Sequence, residues 1–443
     1  MTTTEHADQP ADAPDAAPAK ASLIYPGMGL LFVVLISCFT AWGVAADLTT
    51  PMVAGFKRIF EMNTFQASLV QLAYFGAYFL LAIPAALINQ RFGYKAGLLS
   101  GVLLAAAGAI AFYPASKIMT YEAFLVALFA IAAGCSILET SANPYVLSLG
   151  PEESATRRLN FAQAFNPVGT NIGVLLAATL ILPKLDEPVN MANVTPAQES
   201  AVRAGQLGAV MGPYLGLGFV LIAIGLVIAI KKSPPIVEEF PDADMEGQSP
   251  LKILMSNKRY VFGVIAQFFN VAAQVCTWTF LIQYSQQALN GSLELGGYLL
   301  QVSLIVFLIS RFFMTWLIGK IRATKVLTVL ALLAVALCVF AMFSPNVAGV
   351  AAVVALSFCL SLMFPTIYGV ALQGLGPATK FGAAGLVMAI VGGAIMPLVQ
   401  GFLLDATSPA ISFIVPAACF AVVACFAVYD LKAAPTMVKE QAV

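Results

Sequence analysis

The sequence predicts an all-α integral membrane protein with twelve transmembrane helices in two six-helix bundles. Sixty per cent of its 443 residues are hydrophobic and only 10% are charged, whereas soluble domains are about 45–50% apolar. Twelve stretches have the roughly 20 mostly apolar residues that are needed to cross the hydrocarbon core of a bilayer. A single long polar linker separates the sixth stretch from the seventh, so the chain divides into two halves.

The apolar stretches follow one another with short connections. They lie near 27–54, 64–88, 95–115, 121–147, 159–183, 211–231, 259–285, 296–319, 325–343, 346–373, 379–404 and 409–430. The linker, Lys231–Lys258, contains five acidic residues and several prolines. We therefore expect a disordered cytoplasmic tail at 1–25, an N-terminal bundle at 26–231, the central linker at 232–258, a C-terminal bundle at 259–431 and a cytoplasmic tail at 432–443.

The distribution of Lys and Arg predicts the orientation in the membrane, because these residues concentrate in cytoplasmic loops. With the N-terminus inside, sixteen of the 22 basic residues fall on the cytoplasmic side and five fall outside, which leaves Arg311 within a span. We therefore expect a multi-pass protein of the cytoplasmic (inner) membrane with both termini in the cytoplasm.

Composition and motifs argue against several other classes of protein. The formal net charge is zero, so nothing favours nucleic acid as a partner. The sequence has no Gly-x-x-x-x-Gly-Lys-Ser/Thr loop for ATP phosphates. Its seven cysteines lie in apolar stretches without a Cys-x-x-Cys pair. We expect no cofactor and no metal or catalytic site, and any uphill transport must then use an ion gradient.

The two halves of the chain also resemble each other. Gln71–Lys95 and Gln301–Lys325 each cover a span and the basic turn after it, at an offset of 230 residues. Leu149–Pro151 and Leu375–Pro377, which end the fourth and tenth spans, both read Leu-Gly-Pro. Six-span repeats around a long linker are typical of the major facilitator architecture, in which substrates bind near the bilayer midplane between the bundles. The alternative is a set of twelve unrelated helices.

Two carboxylates lie well inside predicted spans, Glu139 in the fourth and Asp47 in the first. A charge at the bilayer centre costs at least about 2.5–3.5 kcal/mol, so an acid in this position is a functional hypothesis by default. Either group can exchange protons, and the alternative is a buried acid that fixes helix packing. Asp405 and Asp430 lie at the ends of spans, where we expect them to be solvated.

A cation and two rows of amides complete the polar content of the spans. Arg311 in span eight either neutralises a carboxylate or binds sugar hydroxyls, or it reaches the cytoplasmic end of its helix. Each amide row follows one helical face, which we expect to meet other helices or a water-filled cavity. The rows are Asn160, Gln163, Asn166 and Asn171 in span five, and Gln267, Asn270 and Gln274 in span seven.

Neutral amides combined with aromatic rings suit a polyol. Amides exchange hydrogen bonds with hydroxyl groups, and a ring covers the apolar face of a sugar. The aromatic candidates are Trp42, Tyr78, Trp278 and Tyr368. Hydrogen bonds between helices are an alternative explanation for the amides, and packing in the core or at the lipid interface is an alternative for each aromatic residue.

Spans four and five carry a specific combination of motifs. Glu139–Tyr145 reads Glu-Thr-Ser-Ala-Asn-Pro-Tyr, and Arg158–Asn166 reads Arg-Leu-Asn-Phe-Ala-Gln-Ala-Phe-Asn. Shorter pieces occur in spans one, seven, eight and ten, namely Trp42–Ala45, Gln274–Trp278, Arg311–Phe312 and Phe364–Tyr368. Together they resemble the fucose–galactose–glucose/proton symporter family of the major facilitator superfamily, and its L-fucose/proton symporter branch most of all.

This resemblance implies that Glu139 is an essential protonatable residue near the sugar and that Gln163 and Asn166 line the sugar site. It also implies an acid in span one, where the sequence departs from the family pattern. That pattern has Asn two positions after Trp-Gly-Val-Ala and Asp three residues later, whereas this chain has Asp47 and then Thr50. Because three residues are about one helical turn, Asp47 can face the same cavity from one turn earlier.

These inferences predict a proton-coupled importer of a monosaccharide, L-fucose or a related hexose, that works by alternating access as a monomer in the lipid bilayer. Glu139 and Asp47 are expected to carry the proton, with Arg311 as a candidate charge partner. The candidates for the sugar cavity are Gln163, Asn166, Asn143, Trp42, Gln267, Asn270, Gln274, Trp278 and Tyr368. The alternatives are a facilitator or proton-coupled exporter of another small solute, and a membrane sugar sensor that transports nothing.

Overall fold

The computed structural model describes residues 22–59, 64–181, 196–230 and 249–440, and every regular element within these ranges is helical. This result confirms the prediction of an all-α chain. Eleven helical segments of the described chain are long and apolar enough to cross a membrane. One of them is long enough to cross it twice.

The helices are numbered here in chain order. In the described N-terminal half they are α1 (Gly29–Ile59), α2 (Thr64–Ile118), α3 (Tyr121–Ser148), α4 (Ala155–Gln163), α5 (Asn166–Leu176) and α6 (Pro196–Ile230). In the described C-terminal half they are α7 (Pro250–Ser256), α8 (Lys258–Leu289), α9 (Leu293–Leu317), α10 (Ala323–Phe343), α11 (Val347–Ala371), α12 (Thr379–Met388), α13 (Gly392–Ala406) and α14 (Ile414–Glu440). The pair α4 and α5 forms one interrupted span, and so does the pair α12 and α13.

Helix α2 contains two spans joined by a tight turn. Its 55 residues would extend about 80 Å at 1.5 Å per residue, which is more than twice the roughly 30 Å of a hydrocarbon core. Gly93 interrupts the helix with φ 81° and ψ 167°, a conformation that a residue with a Cβ rarely adopts. A Cβ on Gly97 would overlap Asn89 Oδ1, so the chain has reversed direction between them. With α2 counted as two spans, the twelve-helix prediction is confirmed.

Small residues let the helices of the N-terminal bundle approach closely. A Cβ on Gly101 of α2 would lie 2.6 Å from the backbone nitrogen of Leu138 in α3, and a Cβ on Gly173 of α5 would lie 2.8 Å from Val44 O in α1. Glycine at such positions allows two backbones to touch, as is common between membrane helices. These contacts hold α1, α2, α3 and α5 together around the candidate acids.

One group of contacts between the two bundles lies near one end of the molecule. We call this end the linker side, and it is formed by the end of α3 at Ser148, the start of α4 at Ala155 and the start of α8 at Lys258. Towards it, Asn160 Nδ2 donates to Thr366 Oγ1 at 3.2 Å, and the rings of Phe165 and Phe312 meet edge to face at 5.5 Å. Lys380 Nζ lies 5.8 Å from the ring centroid of Tyr94. The bundles are therefore closed against each other on the linker side.

The segments that border the bundles are partly described. Residues 22–25, which the sequence assigned to a disordered tail, pack against the linker side, where Tyr25 N donates to Leu149 O at 2.9 Å. Helix α14 continues to Glu440, beyond residue 431, where the C-terminal bundle was expected to end. The linker includes the short helix α7. Residues 1–21 and 231–248 lie outside the described ranges, so the bundle boundaries stay predictions.

Candidate functional site

Glu139 lies deep in α3 and is completely buried, at 0% exposure. It precedes the end of the helix at Ser148 by nine residues, which is about 14 Å along the axis. Neither of its carboxylate oxygens has a close hydrogen bond among the described residues, and the amide of Asn143 acts favourably on the ionised group only from a longer distance. An ionised carboxylate in this situation is strongly disfavoured. The side chain is therefore set up to accept a proton or a ligand hydroxyl.

Asn143 and Gln163 connect α3 with α4 beside this acid. Asn143 follows Glu139 by one helical turn, and its Oδ1 accepts a hydrogen bond from Gln163 Nε2 at 2.8 Å. Both amides are buried, and Asn143 Nδ2 has no partner within the described chain. The structure thus brings three of the predicted site residues together on neighbouring helices.

Arg311 of α9 joins this group from the other bundle. Its Nη1 donates to Gln163 O at 2.9 Å and lies 3.5 Å from Gln163 Oε1, and its charge acts favourably on Glu139. Pro167, four residues after Gln163, has no N–H, so the carbonyl of Gln163 lacks its usual helical donor. Pro167 therefore leaves the carbonyl oxygen of Gln163 free to accept the hydrogen bond from Arg311.

The environment of Arg311 excludes one of its predicted positions. The side chain is only 6% exposed, and its guanidinium carbon lies 4.7 Å from the ring centroid of Phe307. It points into the contact between the bundles and does not extend to the end of α9. The geometry therefore argues against the position at the helix end, and the roles of charge partner and of sugar ligand both stay predictions.

Asp47 is placed on α1, opposite α5. The residue is half-buried, and its carboxyl group interacts with the side chain of Thr170. Both Asp47 and Glu139 lie within electrostatic reach of Tyr74 on α2. The side chain of Thr50 lies outside the described residues, so the structure does not compare the two positions directly.

The two candidate tryptophans are held through their indole nitrogens. Trp42 Nε1 donates to Tyr78 OH at 2.6 Å, and Trp278 Nε1 donates to Ser357 Oγ at 2.9 Å. The Trp278 ring meets Phe307 edge to face at 5.0 Å, and Phe307 also contacts Arg311. Trp278 therefore belongs to the same group as the arginine, and its ring orientation is fixed.

Tyr368 adjoins Glu139 and Asn143 from the other bundle, whereas Asn166 faces α1. Tyr368 is completely buried, its ring stacks on Phe364 at 6.2 Å, and its hydroxyl donates weakly to Ala383 O at 3.4 Å. Its hydroxyl is also within electrostatic reach of Glu139. Asn166 is half-buried, and its Nδ2 points to the backbone of α1.

The amide row of α8 is the second polar surface of the site. Gln267 and Asn270 are both 0% exposed, and none of their four side-chain polar atoms has a partner within the described chain. Gln274, one turn further along, is half-buried. A buried polar group without a partner costs about 1–3 kcal/mol. These atoms therefore remain available to a polar ligand.

One expectation about the acids was wrong. Asp430 was expected to be solvated at its span end, but it is 0% exposed. It forms ion pairs with Arg259 at 2.7 Å and with Arg322 at 3.2 Å, and it accepts a hydrogen bond from Thr324 Oγ1 at 2.8 Å. Both arginines had been counted as loop charges. Asp405, in contrast, is exposed as expected.

Sequence reasoning also missed the role of Arg158. The residue is fully buried, and its guanidinium donates to the carbonyl oxygens of Val146, Leu147 and Gly150 at the end of α3, and to Leu23 O. Carbonyls at a helix C-terminus carry partial negative charge. The arginine therefore stabilises the end of α3 and anchors the segment before α1. Its position in the Arg-Leu-Asn motif was the available signal.

Residues 30–392 match the family model described as Major Facilitator Superfamily. The chain belongs to this superfamily. It is 40% identical over 409 residues to the L-fucose-proton symporter of Haemophilus influenzae, a match that covers 89% of this chain and 95% of that protein. It is 32% identical over 406 residues to a glucose/galactose transporter of Brucella abortus, which covers 91% and 95%.

A solved structure of the superfamily agrees with this assignment. The transporter FucP in the outward conformation matches with a TM-score of 0.84 and 36% sequence identity, and the match covers 90% of this chain and 98% of that one. The predicted resemblance to the fucose symporter branch and the major facilitator fold are thereby confirmed. The relatives are transporters, which confirms that this superfamily member is a transporter and not an enzyme.

Proposed function

We propose that this protein imports a monosaccharide, L-fucose or a related hexose, together with protons across the cytoplasmic membrane. The observation that carries the proposal is the completely buried carboxyl group of Glu139, which has no close hydrogen bond within the described chain and adjoins the amide pair Asn143 and Gln163. The similarity to sugar and proton transporters supports the same substrate class.

The geometry suggests how protonation and sugar binding are coupled. A protonated Glu139 is neutral and can be enclosed between the bundles without the cost of burying a charge. Neutral amides on α3, α4 and α8 supply donors and acceptors for hydroxyl groups, and Trp42 and Trp278 supply apolar ring faces. A proton gradient would then favour the conformations in which the acid is protonated and the sugar is enclosed.

The sidedness of the molecule follows from the charge distribution. Basic residues concentrate on the linker side, which we therefore assign to the cytoplasm, with both termini inside. The bundles contact each other on that side and also at Asn171 and Gln301, so the candidate site is enclosed between them.

The direct test is sugar-induced proton movement in proteoliposomes that contain the purified protein. L-fucose, galactose, glucose and mannose are added singly to vesicles without a pH gradient. We expect at least one of them to raise the external pH as protons enter with the sugar. If no hexose moves protons but counterflow of labelled sugar is observed, the protein is a facilitator. If counterflow is also absent, a sugar sensor or a transporter of another solute is favoured.

The variant Glu139→Gln tests the role of the acid. It is isosteric but cannot lose a proton, so we expect gradient-driven accumulation to fall to the background while counterflow persists. Glu122→Gln is the matched control, because Glu122 lies in the first turn of the same helix and is exposed. Accumulation by Glu139→Gln at the rate of the control would refute the assignment.

A further inference from the structure

Asn89 of α2 is a fully buried amide outside the candidate site. It is 0% exposed and precedes Gly93, where the two spans of α2 reverse direction, by about one helical turn. Its Nδ2 donates to Thr140 O at 3.3 Å, and its Oδ1 accepts a hydrogen bond from Ser141 Oγ at 2.8 Å. Both polar ends of this amide are therefore bound to α3, next to the candidate acid Glu139.

The carbonyl oxygen that Asn89 binds is free because of a proline. In a regular helix the oxygen of Thr140 would accept a hydrogen bond from the N–H of the residue four positions later, but Pro144 has no N–H. A buried carbonyl oxygen without a donor lowers stability, so such oxygens are nearly always paired. Asn89 supplies the missing donor from another span. The hydrogen bond therefore replaces one that the sequence of α3 itself removes.

The turn of α3 that contains this carbonyl carries two candidate site residues. Glu139 directly precedes Thr140, and Asn143 follows it by three residues. Asn143 Oδ1 in turn accepts the hydrogen bond from Gln163 Nε2 at 2.8 Å. A shift of this turn would therefore move the acid and the amide relative to Gln163 on α4, and the donor at Thr140 O limits that shift.

Close packing holds the Asn89 side chain in place. A Cβ on Gly97, at the start of the following span, would overlap both Asn89 Oδ1 and Ser141 Oγ. Glycine at this position leaves the space in which the amide and the hydroxyl group meet. Three spans thus converge on one amide, which cannot turn away from Thr140 without losing the hydrogen bond from Ser141.

The next span repeats this arrangement on the other side of the site. Pro167 leaves the oxygen of Gln163 without its helical donor, and Arg311 Nη1 donates to that oxygen at 2.9 Å. Prolines thus remove a helical hydrogen bond in both spans that carry the acid and its neighbouring amides. In each case a polar side chain from another span takes the place of the missing N–H. Packing alone would not require a donor at either point.

We propose that Asn89 is a positioning residue for the candidate site. By donating to Thr140 O, it fixes the turn of α3 that presents Glu139 and Asn143, while it binds neither the proton nor the sugar itself. The inference rests on the proposed symport of sugar and protons, and it adds a residue that sets the geometry of the site from outside.

The test measures counterflow of labelled sugar in proteoliposomes, with the hexose among L-fucose, galactose, glucose and mannose that the wild type exchanges fastest. In Asn89→Ala, Thr140 O loses its donor and the turn shifts, so we expect KM to rise at least about tenfold, because a displacement of about 1 Å can cost on the order of a hundredfold. A purely structural role would instead reduce the amount of folded protein, which lowers Vmax and leaves KM unchanged. Ser141→Ala, which removes only the hydroxyl group that holds Asn89 Oδ1, should raise KM in the same direction.

Gln400→Ala is the matched control. Gln400 is also an amide with 0% exposure, and its Nε2 donates to Ser412 Oγ at 3.2 Å within the C-terminal bundle. This variant should keep KM within about twofold of wild type, whatever its effect on Vmax.

A wild-type KM in Asn89→Ala would overturn the positioning role. If that variant does not fold, a wild-type KM in Ser141→Ala would overturn it in the same way. An equal rise of KM in Gln400→Ala would also overturn it, because the loss of any buried amide would then have the same effect. Absence of counterflow in the wild type with all four hexoses would instead refute the proposed transport of these sugars, and the positioning role with it.

Discussion

Two carboxylates in this protein share the same burial but differ in their charge partners. Glu139 and Asp430 are both 0% exposed. Asp430 is compensated by two arginines, as expected of a structural ion pair. Within the described chain, Glu139 is acted on by one cation, Arg311, with which it forms no ion pair, and its two carboxylate oxygens have no close hydrogen bonds. This imbalance, and not burial alone, supports the proposal that Glu139 exchanges a proton.

The pairing of Arg311 with Glu139 predicts an energetic coupling. Removing the cation in Arg311→Gln leaves a buried acid without compensation and should destabilise the protein, whereas the additional change Glu139→Gln should restore part of the loss. We expect a coupling energy of about 1 kcal/mol or more from the double-mutant cycle, measured by thermal unfolding in detergent. The same cycle with Glu122→Gln, at the exposed start of α3, should give a coupling near zero. Equal values in both cycles would contradict the pairing.

At the scale of elements, the arginine cluster of the C-terminal bundle ties four helices together. Asp430 of α14 pairs with Arg259 at the start of α8 and with Arg322 before α10, and Arg259 Nη2 also donates to Gln373 after α11 at 2.9 Å. These elements meet at the linker side, where the cluster connects the ends of the helices.

Loss of this cluster should therefore weaken the bundle. The change Asp430→Asn leaves two arginines without their anion, and breaking such a buried pair costs about 3–5 kcal/mol. Because Arg322 is partly exposed, we expect the lower end of that range, observed as a reduced Tm in detergent. Asp405→Asn is the control, since Asp405 is exposed on α13, and its Tm should not change. An Asp430→Asn protein with wild-type Tm would show that the ion pairs contribute nothing.

Helices α5 and α9 form a further contact between the bundles, in addition to the one made by Arg311. Gln301 Nε2 donates to Asn171 Oδ1 at 3.2 Å. Along α9 this contact lies about 15 Å from Arg311, at 1.5 Å per residue. The two contacts are thus successive connections between the same pair of spans, and rocking of the bundles must change their separation.

Cross-linking tests whether this second contact must open. In a Cys425→Ser background, which removes the exposed cysteine, the pair Asn171→Cys and Gln301→Cys should be joined by a short bifunctional thiol reagent. We expect transport to stop and to recover on reduction. The control pair, Gln400→Cys and Ser412→Cys, lies within one bundle at 3.2 Å and should cross-link without blocking transport. Full activity of the cross-linked interbundle pair would exclude movement at this point.

At the scale of the whole molecule, closure of the linker side depends on close packing between the bundles. A Cβ on Gly369 of α11 would lie 3.0 Å from Thr156 Oγ1 of α4. This contact is tight, and it crosses from one bundle to the other. A larger side chain at this position would therefore act on the equilibrium between the open and closed conformations of the linker side.

The change Gly369→Val should push the linker side open. Spin labels at cysteines that replace Arg91 and Lys320, both exposed near this end, should report a larger population of long distances. Gly297→Val is the matched control, because nothing lies within 4 Å of a Cβ at that glycine, and it should leave the distances unchanged. Identical distance distributions in both variants would show that the packing at Gly369 does not set the conformation.

The sequence by itself determined the fold and predicted the residues of the candidate site. The fold followed from features that can be read along the chain: twelve apolar stretches of spanning length, the excess of Lys and Arg on one side, and the repeat at a constant offset. Lipid allows few structures other than helices for such a chain. The identity of the buried acid, Glu139, also followed from its position in an apolar stretch. The amides of spans five and seven were found for the same reason.

Tertiary structure alone decided which charges are compensated. Asp430 was expected to be solvated because it lies at the end of an apolar stretch. Its ion-pair partners, Arg259 at the start of α8 and Arg322 before α10, are about 171 and 108 residues away in sequence. Arg311 finds its acceptor in the other bundle, at a carbonyl that Pro167 frees. Electrostatic pairing depends on distances in space, and no pattern along a single chain records those distances.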